Sequence, residues 1–160
     1  MFPLLHLFLL LISAGAIDDS VSAYDALQLY NFPIGLLPQG VIRYDLENST
    51  GEFSVYFNGS CSFSLEGSYQ LRYQPSISGR ISTNRLGNLK GVSVKVILFW
   101  IKIVEVVRNG DELEFSVGIA SADFAIDNFG ISPQCGCGLN CDAVGDVAEE
   151  VDLLSLKAAV

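Results

Sequence analysis

The stretch Gly91-Val-Ser-Val-Lys-Val-Ile-Leu-Phe-Trp-Ile-Lys-Ile-Val-Glu-Val-Val-Arg108 constrains this chain more than any other, because the rest of the fold must cover it. Its β-branched and aromatic residues favour strand over helix. Val92, Val94 and Val96 alternate with Ser93 and Lys95, whereas Val96 to Ile101 is apolar without a break. Such a pattern is expected of a strand whose middle is buried on both faces. A single strand of this length would run about 50 Å, several times the usual span, so a bend or bulge is expected near Lys102, where the polar phase slips.

The flanking segments read as strand and turn. Ser22-Ala-Tyr-Asp25 has the form of a capping box opening a short helix through Leu27 and Tyr30, which Asn31-Phe-Pro33 should stop. The prolines and glycines of 31–40 surround Ile34, Leu36 and Leu37, as expected of an apolar turn tucked against the core. Ile42, Tyr44 and Leu46 alternate with Arg43 and Asp45; Phe53, Val55 and Phe57 line one side of a second strand. Asn58-Gly59 is a two-residue hairpin signal. Cys61, Phe63 and Leu65 mark a third strand, Tyr69–Tyr73 a fourth, and Ile77–Thr83 a fifth interrupted by Pro75 and Gly79; 84–90 reads as loop. Asn109-Gly110-Asp111 turns the long strand back into 112–119, and 123–129 is the last strand-like piece. Short antiparallel strands without intervening helices imply a mainly β fold: a small antiparallel β-barrel or roll with a short N-terminal helix and an acidic C-terminal tail.

Residues 1–16 read as a signal peptide, with an apolar core over 2–12 and a small-x-small site at Ala14-Gly-Ala16, so the protein is expected to be secreted. The β domain is then 22–133, followed by a cysteine-containing acidic tail over 134–160. Cleavage would remove His6, the only histidine, and with it any Ser-His-Asp or Cys-His nucleophile system and any histidine metal ligand. No metal site and no cofactor is expected.

Charge is segregated along the chain. From Gly67 to Val104 there are no acids and six bases, whereas the flanks carry all 18 acids, giving a net charge of −9. A protein this acidic is a poor general nucleic-acid binder. The basic middle offers Arg80, Arg85 and Lys90 as candidate contacts for anionic head groups, phosphates or wall uronates; the plainer reading is solvated side chains that balance the acidic flanks. Trp100 is a candidate stacking platform, although its place in the most apolar stretch favours core. Asp111, Glu112 and Glu114 sit at a hairpin tip, where acids are normally solvated rather than catalytic.

Cys61, Cys135, Cys137 and Cys141 suggest two disulfides in a secreted chain. A Cys135–Cys137 ring is too tight, leaving Cys61 bonded to Cys135 or to Cys137, with Cys141 taking the other. Asn48-Ser-Thr50 and Asn58-Gly-Ser60 are glycan acceptors in expected turns.

In their order, Asn31-Phe-Pro-Ile-Gly-Leu-Leu-Pro, Ile77-Ser-Gly-Arg-Ile-Ser, Leu89-Lys-Gly-Val-Ser-Val-Lys, Asn109-Gly-Asp-Glu-Leu-Glu-Phe-Ser-Val-Gly and Ser132-Pro-Gln-Cys-Gly-Cys-Gly resemble a plant family known as domain of unknown function 538. The likeness spans about residues 22–138. It implies a mainly β roll or barrel with an N-terminal helix. Members of that family have been likened to bactericidal/permeability-increasing protein, a lipid- and lipopolysaccharide-binding fold, and a hydrolase role has been put forward; no catalytic residues come with the resemblance. Ala125 follows Phe124 where the family pattern carries proline, so the exit of the last strand is expected to differ. Three readings of function follow: a secreted β-barrel holding a lipid-like or amphipathic small molecule, with peripheral membrane or cell-wall contact; an esterase-like hydrolase; and an extracellular structural or interaction domain.

Overall fold

A single 14-residue strand organises the sheet. In the computed structural model, which describes residues 21–65 and 69–138, this strand is β4 (Tyr69–Ser82). The expected leader, Cys141 and most of the acidic tail lie outside the described residues. The chain runs α1 (Ala23–Leu29), a 3₁₀ turn at Ile34–Leu36, β1 (Val41–Leu46), β2 (Glu52–Phe57), β3 (Cys61–Leu65), β4, β5 (Arg85–Val96), β6 (Phe99–Lys102), β7 (Glu105–Asn109), β8 (Glu112–Ser116), β9 (Ser121–Ala125) and a second 3₁₀ turn at Ile126–Phe129.

Among the described residues nine strands make one antiparallel sheet, in the order β1-β2-β4-β5-β7-β8-β9. β3 pairs with the first half of β4, from Cys61 opposite Tyr73 to Leu65 opposite Tyr69. β2 pairs with its second half, from Tyr56 opposite Ser76 to Glu52 opposite Arg80. The chain therefore passes along one edge of β4 at Asn58-Gly59 rather than folding back there, so the expected hairpin is not formed. The two strands expected over 69–83 are likewise one. Pro75, which has no N–H to give, falls between the β3 and β2 pairings and opposite the register shift with β5. Gly91, with φ 96°, passes so close that an added Cβ would lie 2.7 Å from the Ser76 carbonyl oxygen.

The sheet is not closed into a barrel: β1 and β9 end the path and do not pair with each other. It is rolled, because Tyr44 and Leu46 of β1 and Phe124 of β9 pack against the same core cluster. Ala23 and Leu27 of α1, together with Phe32, Leu36, Leu37 and Phe129, complete that cluster. Apolar cover from these segments thus does what strand closure would do in a barrel.

The central apolar stretch departs most from expectation. It does not run straight but reverses at Ile97-Leu98, so that Val96 faces Phe99 and Ser93 faces Lys102. Ile97 holds φ 58°, which for a β-branched residue costs about 1–2 kcal/mol. No Gly, Asn or Pro announces this turn. Ile97, Leu98 and Phe99 are exposed, so the expectation of burial on both faces is overturned. The break expected near Lys102 does occur: β6 ends there, and the Ile103 N–H donates to the Val92 carbonyl before β7 begins. The expected loop over 84–90 is instead the start of β5, entered by a tight turn at Thr83-Asn84.

The capping box forms as read: the Asp25 N–H donates to Ser22 Oγ (3.0 Å) and the Ser22 N–H to Asp25 Oδ2 (3.2 Å). At the other end of the helix Asn31 and Asn84, both with φ near 66°, are joined by a 2.6 Å side-chain hydrogen bond. Arg108 of β7 donates to the Asn31 carbonyl and Oδ1, both at 2.9 Å. These three side chains fasten helix, turn and strand together. The last strand leads through Ala125 into the second 3₁₀ turn, whose Phe129 backbone abuts Gly35 of the first.

Two stability predictions follow from this packing. A Cβ on Gly35 would sit 2.3 Å from the Phe129 carbonyl oxygen, backbone against backbone; Gly35→Ala is expected to cost about 1–3 kcal/mol in urea unfolding. Tyr73 is fully buried and its hydroxyl donates to the Leu36 carbonyl (2.7 Å); burial pushes its pKa far above the ordinary 10.0. A folded-state pKa above the unfolded one means stability that is complete below pH 10 and lost as pH rises further, since the unfolded chain releases the proton first. Tyr73→Phe should cost about 1 kcal/mol at neutral pH while flattening the alkaline fall in melting temperature.

Candidate functional site

Strand alternation gives the β4–β5–β6 end of the sheet two unlike faces. Leu71, Val94, Val96 and Ile101 share the inner face through the pairs Leu71–Val94 and Val94–Ile101. Arg72, Ser93, Lys95, Trp100 and Lys102 share the outer one. Across from the inner face stand Phe115 and Val117 on the β8 side and Ala122 and Phe124 of β9. Between them lies a cleft of about 170 Å³, lined by 15 residues from Leu65 to Phe129.

One wall is aliphatic, made of Leu71, Val94, Val96, Ile101 and Ile103; the other sets the rings of Phe115, Phe124 and Phe129 among the smaller side chains of Val117, Ala120 and Ala122. Tyr69 and Phe115 each meet the Phe124 ring edge-on, with centroids 5.3 and 5.5 Å away, and Phe115 stacks on Phe129 at 5.5 Å. Edge-on pairs of this kind fix ring positions beyond simple burial. The side-chain hydroxyls in the lining belong to Tyr69 and Ser121. Burial raises the Tyr69 pKa above its ordinary value, which is already well above neutrality, so it presents an uncharged O–H. Ile119, 98% exposed, stands in the same lining and places an apolar side chain in water at the rim. A second void of about 70 Å³ lies under α1, too small for more than a few atoms.

The basic residues singled out from the sequence fall elsewhere. Arg80, Arg85 and Lys90 do come together, in a broad open groove of about 1770 Å³ over β1, β2, β4 and β5. Lys102 joins them, but so do Asp45, Glu47, Glu52 and Glu105. Arg80 pairs with Glu52 at 3.3 Å and Arg85 with Glu105 at 2.7 Å. Four cations facing four carboxylates leave the groove without net charge, and exposed ion pairs of this kind contribute little. Trp100 is not in the groove, nor is it core: it is half-buried on the outer face of β6, with the Arg72 guanidinium 3.9 Å above its ring.

The glycan acceptors Asn48 and Asn58 are both exposed, and Asn48 borders the groove. Cys61 is bonded to Cys135, which decides between the two pairings left open by the sequence. None of the described cysteines is free. Serine hydroxyls donate to carboxylates at the α1 cap and at Ser49–Glu47 in the β1–β2 turn, both exposed and both structural.

A family model described as "Protein of unknown function, DUF538" matches residues 23–130. The chain belongs to this family. A comparison with curated proteins returns no match. The DUF538 match begins at the first residue of α1 and ends just past the second 3₁₀ turn, so it contains both walls of the cleft but not Cys135. Among the described residues no helix is long and apolar enough to cross a membrane. The intramolecular disulfide fits an oxidising compartment.

The cleft is not legible as a site from the sequence, because its residues come from six strands and meet only through register. The usable signal was the alternation Leu113, Phe115, Val117, which gives the aromatic wall its side. Phe124→Ala should remove two ring contacts and cost about 2 kcal/mol, less than a fully buried Phe→Ala since the ring is half-buried; thermal unfolding measures it.

Proposed function

We propose that this DUF538 protein is secreted and binds one apolar or amphipathic small molecule, with its tail in the cleft between β4–β6 and β8–β9. The observation that carries this reading is the lining: aliphatic side chains and the rings of Phe115, Phe124 and Phe129, with hydroxyls from Tyr69 and Ser121 alone among its polar side-chain groups. Pockets for small molecules are mostly apolar with a few polar groups that fix orientation. At about 170 Å³ the cleft is below the ~300 Å³ lower bound for drug-sized pockets, which suits a short acyl or isoprenoid tail or a single ring. The polar end would stay at the rim near Ser121 and Ile119.

Secretion is supported by the leader-like residues 1–16 and by the Cys61–Cys135 bond. Arg80, Arg85 and Lys90 are not assigned to the ligand, because Glu52 and Glu105 already neutralise the two arginines. Hydrolysis gains no support from the hydrogen bonds of the serines, which cap and turn.

A polyene fatty acid that fluoresces on entering an apolar site tests the proposal. The protein should enhance its emission and saturate at one probe per chain. Ala122→Phe, which fills the cleft from β9, should weaken binding by about tenfold or more. Unchanged affinity in that variant, or no enhancement at all, would sink the reading.

A further inference from the structure

The tip of the β5–β6 hairpin is its most apolar part and also its most exposed. Ile97, Leu98 and Phe99 are 54%, 78% and 71% exposed. A two-residue turn with positive φ is normally filled by Gly, Asn or Asp. Here Ile97 takes that strained position, and the strain keeps a large apolar side chain at the outermost point of the hairpin.

Just behind the tip the outer face carries the opposite chemistry. Lys95 stands across from Trp100, and Lys102 lies two pairs further back on the same face, beside Arg72 through Ser93. Arg72 covers the Trp100 ring, and none of these three cations is in an ion pair among the described residues. Gly67 to Val104 contains no acid, so within β4, β5 and β6 nothing offsets Arg72 and Lys95; Lys102 lies at the border with the groove, whose carboxylates come from β1, β2 and β7 and the β1–β2 turn.

We propose that the hairpin docks on an anionic lipid bilayer, with Ile97–Phe99 entering the acyl region. The sequence of chemistries from the tip backward matches a bilayer read from inside out. Apolar residues come first, then an indole of the kind enriched at the interface, then cations that reach head-group phosphates. A second copy of the chain is a poorer occupant, because pairing two tips would bring Arg72, Lys95 and Lys102 of both against one another. A two-residue turn also falls far short of the ~800 Å² per partner of a stable interface. Val96 and Ile101 belong both to this hairpin and to the cleft, and Ile119 extends the exposed apolar surface from the same lining. Docking would therefore bring the cleft mouth to the lipid surface. The proposal goes beyond ligand binding, and neither depends on the other.

Trp100 is the sole tryptophan, so the protein carries its own probe. The purified full chain is mixed with vesicles of phosphatidylcholine alone or phosphatidylcholine with phosphatidylserine. With phosphatidylserine present, the protein should co-sediment, Trp100 emission should move to shorter wavelength, and lipids brominated along the acyl chain should quench it. Leu98→Asp should lower partitioning at least about tenfold. Lys95→Gln combined with Lys102→Gln should lower it about tenfold on the anionic vesicles. Ile42→Asp, at an exposed apolar site on β1, should bind as the parent does. Co-sedimentation unchanged in Leu98→Asp, emission unmoved by lipid, or lipid-free dimers that Leu98→Asp dissolves would each overturn the proposal. Since Leu98 is outside the cleft, that variant should still bind the soluble polyene probe, so failure here is distinguishable from failure of the ligand reading.

Discussion

The fold depends on β4 having two sets of partners on one edge. A 14-residue strand would be hard to cover with ordinary neighbours, which run about five or six residues. The chain meets this by laying β2 and β3 end to end along it, while β5 takes the whole other edge. Pro75 sits at the seam, where no ladder hydrogen bond is required of it. The two halves then diverge: beyond β2 the sheet continues to its edge at β1, and beyond β3 it stops. From the same seam β5 is shared by β7 at one end and β6 at the other. The groove and the cleft are the concavities that this divergence leaves.

Rolling without closure sets the balance of the core. The inward residues of the strands alone would leave apolar surface open along the gap between β1 and β9. Helix α1 and the two 3₁₀ turns fill the core instead, and Gly35 lets the turns touch backbone to backbone. The Asn31–Asn84–Arg108 hydrogen bonds hold the helix end to the β4–β5 turn and to β7. Polar side chains thus locate the lid while apolar ones provide its adhesion. In the described residues every buried side-chain polar atom has a partner.

Much of this was legible where local chemistry decides structure. Ser22 and Asp25 announce the helix start, Asn109-Gly110 the β7–β8 turn, and Phe53, Val55 and Phe57 the inward face of β2. The misreadings share a cause: tertiary pairing overrode a local signal. Asn58-Gly59 has hairpin residues, but β4 offers both flanking strands a better edge than they offer each other. Pro75 and Gly79 read as breaks, yet they fall at a seam and at a close approach to Phe53. Ile97-Leu98 lacks every turn residue, so continuity of apolar character passes for continuity of strand. The cleft needed register across β3 to β9, and nothing in a sequence carries register between strands that are far apart along the chain. Arg80, Arg85 and Lys90 do converge, but the carboxylates that neutralise them come from distant strands.

The clasp formed by residues 134–138 has a consequence for handling and for compartment. β3 pairs with β4 alone, and its free edge is met by this segment: Cys135 is bonded to Cys61, and the Gly136 N–H donates to the Ser62 carbonyl. Spanning 74 positions, the bond restrains the unfolded chain by roughly 4 kcal/mol, yet its local work is to shield a row of main-chain donors and acceptors. Reduction of the bond would take away that shield from β3. An edge left open in this way is a template for strands of neighbouring molecules.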